Sequence, residues 1–88
     1  MADFIKINPV DNVVIALKDF SAGDKLIVDG QELEIKNDIP KGHKIALSAI
    51  AENEDIIKYG APIGHATQAI EAGEHIHVQN LKTNLSGT

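Results

Sequence analysis

The stretch that decides the fold spans residues 38–66 and reads Asp38-Ile-Pro-Lys-Gly-His-Lys-Ile-Ala-Leu-Ser-Ala-Ile-Ala-Glu-Asn-Glu-Asp-Ile-Ile-Lys-Tyr-Gly-Ala-Pro-Ile-Gly-His-Ala66. Within it a short unit occurs twice: an apolar residue, two further residues, a glycine or asparagine, two polar residues and a second apolar residue. The unit also occurs before and after this stretch, so that its four copies begin at Phe20, Ile39, Ile50 and Ile70. The repeat predicts that one local structure is used four times.

The fourth residue of the unit indicates a tight turn in each copy. It is Gly23, Gly42, Asn53 or Gly73, and glycine and asparagine are the residues that most readily enter the left-handed backbone region. Pro40, two residues before Gly42, fits the second position of a type I turn that has glycine at its fourth position. We therefore expect four equivalent turns, each leading into a short strand.

The sequence around these turns predicts further short strands and no long helix. Residues 12–17 are apolar after Asn12, and such a run is typical of a buried strand. Asp29-Gly30 separates two strand-like runs and predicts a hairpin, and the alternation of residues 32–36 turns Leu33 and Ile35 inward. Gly60-Ala-Pro62 is expected to end a strand. Other candidate strands lie near residues 4–7, 56–59, 63–70 and 76–78, and residues 44–50 fit a strand or a short helical turn.

Length and composition predict one small all-β domain. The chain has 88 residues, of which 43% are hydrophobic but only 3% aromatic, so the core must be built from Ile, Val, Leu and Ala in seven or eight short strands. We assign residues 1–79 to the domain. Residues 80–88 are polar without an apolar period and are interpreted as a C-terminal tail or linker, mobile in the free chain and ordered only on a catalytic partner.

Charge and cysteine content exclude several classes of function. The net charge is −5 and the chain has no arginine, which argues against a nucleic-acid partner because such partners are bound through clustered Lys and Arg. There is no apolar run that predicts a membrane span. The absence of cysteine fits a reducing compartment, and we expect a cytoplasmic protein.

Histidines and lysines are the candidates for chemistry, because the common enzyme motifs are absent. His75 and His77 are two residues apart on an expected strand, so both side chains would lie on one face and together bind a divalent metal. A solvated pair is the more common outcome for this spacing. His43 and Lys44 directly follow a turn glycine, where binding residues are often held. Taken singly, none of these positions outweighs the interpretation as a solvated surface residue.

Several motifs together resemble a known family. They are Asp11-Asn-Val-Val-Ile-Ala16, Ile39-Pro-Lys-Gly-His-Lys-Ile-Ala46, Ile56-Ile-Lys-Tyr-Gly-Ala-Pro-Ile-Gly64 and His77-Val-Gln-Asn-Leu-Lys-Thr83. In this order they resemble the N-terminal SAF domain of altronate and galactarate dehydratases, and the likeness covers nearly the whole chain. It implies a small β-clip fold.

The resemblance also implies a function. In that family the small domain precedes a large catalytic domain or is a separate small subunit, as in sulfolactate sulfo-lyases. The reaction is β-elimination from a hydroxy acid, with a divalent metal such as iron or magnesium. Residue by residue, the likeness implies catalytic roles for His43 and Lys44, a metal ligand in His77, and substrate contacts by Lys58, Tyr59, His65, Asn80, Lys82 and Thr83.

Two departures from the family pattern modify these assignments. Before Asn-x-Lys-Thr the family has an aromatic residue and then His-aliphatic-His, whereas this chain has His75 in the aromatic position and Gln79 for the second histidine. We therefore place the metal ligand at His77 alone and expect little effect from loss of His75. In addition, His65 stands where the family has tyrosine, which indicates a different substrate or a diverged member.

Two other functions stay open at this point. One is a non-catalytic module that binds a carbohydrate or small molecule, since SAF-like domains also occur in sialic-acid synthases and antifreeze proteins; the chain has only three threonines, which disfavours the antifreeze use. The other is a purely structural oligomerisation piece, in which His43 and Lys44 would be dispensable.

Overall fold

The computed structural model describes residues 3–83, which form nine short strands and no helix. The all-β prediction is confirmed. No helix in this part of the chain is long and apolar enough to cross a membrane. The strands are β1 (Phe4–Ile5), β2 (Val13–Ala16), β3 (Lys25–Val28), β4 (Gln31–Glu34), β5 (Lys44–Ala46), β6 (Asp55–Lys58), β7 (Ala61–Ala66), β8 (His75–Ile76) and β9 (Leu81–Thr83).

The strands pair in three antiparallel sheets. One has four strands in the order β1-β2-β5-β8, the second is the β3–β4 hairpin, and the third has the order β6-β7-β9. The turn of the predicted hairpin has φ of 51° at Asp29 and 81° at Gly30. Positive φ at both residues defines a type I′ turn, whose twist matches that of the flanking strands. The predicted hairpin is confirmed.

A second hairpin lies at the strand break predicted for residues 60–62, but the second strand begins at Ala61, two residues earlier than predicted. Tyr59 and Gly60 also have positive φ, 57° and 74°, and they join β6 to β7, so Pro62 lies within a strand. The pairing shifts register between Ile56 and Ile57, with Ile57 opposite Pro62. Proline lacks an N–H group and is tolerated in a sheet at such irregular positions, which is why the strand continues through it.

The four repeat turns are equivalent, as predicted. The fourth residue has φ of 96° at Gly23, 90° at Gly42, 72° at Asn53 and 90° at Gly73. The N–H group of each donates a 2.8 Å hydrogen bond to a carbonyl elsewhere in the chain. The units also pair with one another at their first residues, Phe20 with Ile39 and Ile50 with Ile70. The repeat therefore organises the tertiary structure as well as the local turns.

The first and last apolar residues of every unit lie in the core. All eight are less than 9% exposed, and they divide between two clusters of packed side chains. Burying an aliphatic side chain of this size contributes about 1.5–3 kcal/mol. The eight residues are Phe20, Leu26, Ile39, Ile45, Ile50, Ile56, Ile70 and Ile76.

The C-terminal part of the domain differs from the sequence prediction. Residues from 80 onward were assigned to a mobile tail, yet Leu81–Thr83 form β9 and pair with β7, while Asn80 is 3% exposed. A side chain at Gly64 would contact the backbone carbonyl oxygen of Lys82, so the glycine permits this close pairing. The sheet therefore extends through Thr83, and the remainder of the assigned tail, residues 84–88, lies outside the described residues.

Candidate functional site

The second repeat unit differs from the other three in how its polar residues are used. In the other units the fifth residue is acidic, and its carboxylate accepts a hydrogen bond from the N–H of the second residue. These bonds join Asp24 to Ser21 (2.9 Å), Glu54 to Ala51 (2.6 Å) and Glu74 to Glu71 (3.2 Å). In the second unit the second residue is Pro40, which has no N–H to donate, and the fifth residue is His43. The side chain of His43 is therefore available for other contacts.

His43 meets two other histidines. Pairing of β5 with β8 places Ile45 opposite His75, so that His43 Nδ1 lies 2.8 Å from His75 Nε2. The ring centroids are 5.0 Å apart for His43 and His75, 4.6 Å for His43 and His77, and 5.6 Å for His75 and His77. One nitrogen from each ring can be chosen so that all three lie within 4.8 Å of one another. His43 and His75 are half-buried, whereas His77 is exposed.

Two asparagines hold the backbone of these histidines. The N–H of His75 donates to Asn37 Oδ1 at 3.0 Å. Asn80 Nδ2 donates to the carbonyl of His75 at 2.8 Å, and Asn80 Oδ1 accepts from the N–H of His77 at 3.0 Å. Both polar groups of the buried Asn80 side chain thus bond to the segment that carries the histidines. In this structure Asn80 positions the histidines, whereas the family resemblance implied a substrate contact.

Positive charge accumulates beside the histidines. Burial lowers the pKa of His75, and the neighbouring His43, His77 and Lys44 lower it further. The pKa of Lys44 is also lowered, first by burial and then by the charge of Lys58. These shifts place Lys44 within electrostatic range of His75, and Lys58 within electrostatic range of Lys44. We call His43, Lys44, Lys58, His75 and His77 together the cationic face.

The two lysines of the cationic face form no ion pair within residues 3–83. Within residues 3–83 the lysines that form ion pairs are Lys6, Lys18, Lys25 and Lys36, and neither Lys44 nor Lys58 is among them. Lys58 Nζ instead lies 4.8 Å from the centre of the Tyr59 ring, a favourable cation–π contact. In a chain of net charge −5, unpaired cations at one place favour an anionic ligand.

Other residues that the resemblance implied lie on the β6-β7-β9 sheet, to which Lys58 also belongs. His65 on β7 is opposite Lys82 on β9, and Thr83 is opposite Gly64. Tyr59, in the β6–β7 turn, is 61% exposed and connects to the cationic face through its contact with Lys58. The structure thus brings together His43, His75 and His77, with Lys44 within electrostatic range of His75 and of Lys58. Lys58, His65, Lys82 and Thr83 lie on the β6-β7-β9 sheet.

The sequence pattern did not predict that His75 takes part in the cluster with His43. The spacing of His75 and His77 was visible, but the third imidazole comes from a residue 32 positions away from His75. The β5–β8 pairing, together with backbone hydrogen bonds of Ala46 to Gly73 and Glu74, joins the two segments. The signal that could have identified the site is the departure of the second repeat unit, in which Pro40 and a histidine replace a backbone donor and an acid.

A cleft of about 380 Å³ lies elsewhere, between the β3–β4 hairpin and the loop before β2. Its lining includes Lys6 and Asp29, which form an ion pair with each other at 3.1 Å. It also includes Asp11, whose carboxylate accepts hydrogen bonds from the N–H groups of Tyr59 and Gly60. The charged groups of this cleft are therefore already partnered, and the cationic face is the better candidate site.

The chain is similar to a known family and to several known proteins. The family model of the altronate/galactarate dehydratase SAF domain matches residues 2–84. The chain is 58% identical over 86 residues to an altronate dehydratase of Bacillus subtilis (strain 168), covering 98% of this chain and 17% of the relative. It is 47% identical over 83 residues to an altronate dehydratase of Escherichia coli (strain K12), covering 94% of this chain and again 17% of the relative.

A further relative is a small protein. The alpha subunit of a (2R)-sulfolactate sulfo-lyase of Chromohalobacter salexigens is 40% identical over 88 residues, covering 92% of this chain and 94% of the subunit. The chain thus spans about a sixth of the length of the altronate dehydratases that it matches (17%) but almost all of this subunit. The chain belongs to the family of altronate/galactarate dehydratase SAF domains.

Proposed function

We propose that this chain is the SAF domain or small subunit of a sugar-acid dehydratase, and that it completes an active site formed mainly by a larger catalytic partner. The reaction is β-elimination of water from a hydroxy acid of the altronate or galactarate type. The relatives support a larger partner in both arrangements, because the domain is a small part of the dehydratases and a separate subunit of the sulfo-lyase.

The observation that carries this proposal is the cationic face. A hydroxy acid is an anion, and Lys44 and Lys58 are lysines without an ion pair within residues 3–83. Lys44 is partly buried, where a charge interacts more strongly with a ligand than it would in open water. We assign to Lys44 and Lys58 the binding and orientation of the substrate carboxylate.

The histidines supply groups that transfer protons. In β-elimination a base takes the proton next to the carboxylate, and the hydroxyl on the next carbon leaves with a proton as water. Histidine serves either step because its pKa lies near neutrality. The 2.8 Å contact between His43 Nδ1 and His75 Nε2 requires one nitrogen to donate and the other to accept, so it fixes complementary tautomers. We assign His43 as the proton-transfer residue and His75 as the residue that sets its tautomer.

The first experiment compares the isolated chain with the assembled enzyme. The cationic face has an exposed side, with His77 open to solvent, so a substrate on it would be only partly surrounded. We expect no turnover of altronate or galactarate by the 88-residue chain alone, and turnover after addition of the large catalytic chain. Turnover by the chain alone, or none by the assembled pair on any sugar acid tested, would contradict the proposal.

The second experiment assigns the residues in the assembled enzyme. His43→Ala should lower kcat about a hundredfold, the usual contribution of one acid or base, with little change in the free energy of unfolding. Lys44→Met should mainly raise KM. The matched control is Lys25→Met, since Lys25 lies on β3 in an exposed ion pair with Glu32, and its kinetics should equal those of the wild type. Unchanged kinetics of His43→Ala would instead favour a purely structural role.

A further inference from the structure

We propose that His43, His75 and His77 form a binding site for a late first-row transition metal ion, such as Fe²⁺, Co²⁺ or Zn²⁺, within this small domain alone. The inference concerns the chain's own side chains and holds whether or not the chain acts in a dehydratase. It also differs from the sequence interpretation, which placed one ligand at His77 and named iron or magnesium as the metal.

The distances suit three imidazoles on one ion. Metal–nitrogen bonds of about 2.0–2.1 Å place two histidine nitrogens about 2.9–3.4 Å apart in octahedral or tetrahedral geometry. In the metal-free chain His43 Nδ1 and His75 Nε2 share a proton at 2.8 Å; a bound ion would displace that proton, so the proton-transfer roles assigned above apply to the metal-free chain. The three chosen nitrogens all lie within 4.8 Å of one another. Because His77 is the exposed member, we expect rotation of its side chain to close the remaining gap.

The donor atoms select the class of metal. Imidazole nitrogen suits Fe, Co, Ni, Cu and Zn, whereas Mg²⁺ prefers oxygen ligands and retains much of its water. The cluster offers three nitrogens, and the nearby Lys44 and Lys58 offer no oxygen. A site of this composition therefore discriminates against magnesium.

The backbone around the histidines is arranged in advance. Asn37 and Asn80 fix the main chain of His75 and His77, and the β5–β8 pairing fixes His43 relative to them. Residues outside the ligand shell that hold ligands in place commonly contribute tenfold to a hundredfold to metal affinity. The side chain of His43 also does not make the hydrogen bond that the acidic fifth residue makes in the other repeat units, because Pro40 provides no N–H. These features distinguish the cluster from three solvated surface histidines.

Three protein ligands leave at least one coordination position open. Structural zinc sites usually have four protein ligands, while catalytic sites have three and keep a position for water or substrate. His77 is the exposed member of the cluster, and Lys44 lies within electrostatic range of His75. An anion with a carboxylate and a neighbouring hydroxyl is therefore the class of ligand that the ion would take together with the lysine.

The test uses the untagged 88-residue chain and Co²⁺, whose visible absorption reports its coordination. We expect one Co²⁺ per chain, competition by Zn²⁺, and no competition by Mg²⁺ at a hundredfold higher concentration. His43→Ala, His75→Ala and His77→Ala should each weaken binding about a hundredfold or more, at least as much as loss of a supporting residue. His65→Ala removes the remaining histidine, on another sheet, and should leave Co²⁺ binding unchanged.

Circular dichroism and urea unfolding of each variant exclude loss of the fold as the cause. Failure of the wild-type chain to bind Co²⁺ or Zn²⁺ would overturn the inference, as would binding lost with His65 but retained without His75. Equal competition by Mg²⁺ would also overturn it, because oxygen ligands would then hold the ion. Since this measurement needs neither substrate nor partner, its outcome is separate from that of the dehydratase proposal.

Discussion

Gly23 and Gly73 occupy the same position of the repeat but differ in their surroundings. Their φ angles are 96° and 90°, so alanine meets a similar backbone penalty at both, about 1–2 kcal/mol for a left-handed conformation. A Cβ at Gly23 would have no neighbour within 4 Å. Gly23→Ala is therefore expected to lower the free energy of unfolding by about 1–2 kcal/mol.

Gly73 allows no space for the same methyl group. Its Cβ would overlap the backbone carbonyl oxygen of Glu34 and lie 3.5 Å from the Cα of Ile35. The backbone at Gly73 cannot move away easily, because its N–H donates to the carbonyl of Ala46 at 2.8 Å and its carbonyl accepts from the N–H of Lys36 at 3.0 Å. Overpacking against fixed atoms adds about 1–3 kcal/mol. For Gly73→Ala we expect a total loss of about 2–5 kcal/mol.

Urea unfolding followed by circular dichroism measures both variants, and thermal unfolding provides a check. One kcal/mol corresponds to about 4–8 °C in the Tm of a domain of this size, so the difference between the two variants is easily resolved. Equal losses in the free energy of unfolding at the two positions would refute this reasoning. They would show that the backbone at the end of β4 shifts away from the added methyl group without loss of stability.

Three further predictions test other features. Asn53→Ala should lower the free energy of unfolding by about 1 kcal/mol, while Asn53→Gly leaves it nearly unchanged in urea titrations, because the position has left-handed backbone. Burial raises the pKa of Asp11, but hydrogen bonds led by that from Gly60 lower it more, and the net shift is downward. The stability that Asp11 contributes is thus complete above its ordinary pKa and is lost as the pH falls through its lower pKa in the folded state. The stability deficit of Asp11→Asn should therefore shrink between pH 5 and pH 2. A constant deficit would contradict this. Asn80→Ala leaves the N–H of His77 without its partner, which should cost about 1–3 kcal/mol and weaken Co²⁺ binding about tenfold to a hundredfold; unchanged binding would remove Asn80 from its positioning role.

The local features of the fold could be predicted because short segments determine them. The turn at Asp29-Gly30 and the left-handed residues at Gly42 and Asn53 follow from the backbone preferences of those residues. The predicted inward orientation of Leu33 and Ile35 is matched by their exposures of 8% and 1%, since alternation decides which face of a strand meets the core. The motifs also identified the family, because they match in order along the chain.

Other features depend on contacts that a sequence pattern does not contain. The break expected at residues 60–62 is present but shorter than predicted, since β6 ends at Lys58 and β7 already begins at Ala61. The turn between these strands is a hairpin whose Tyr59 N–H donates to Asp11, 48 residues earlier in the chain. The tail expected from Asn80 onward begins instead with a paired strand. The side chain of Asn80 is hydrogen-bonded to residues 75–77, and the absence of a side chain at Gly64 lets the backbone of Lys82 approach.

The amino-acid sequence by itself determined the four turns, the aliphatic core and the family, because each depends on the chemistry of residues close together in the chain. Only the tertiary structure decided the site. It brings His43 to His75 across the β5–β8 pairing and places Lys44 within electrostatic range of His75 and of Lys58. Neither lysine forms an ion pair within residues 3–83. Distances between side chains from remote segments are set by strand register and by packing of the whole core, which no local preference specifies.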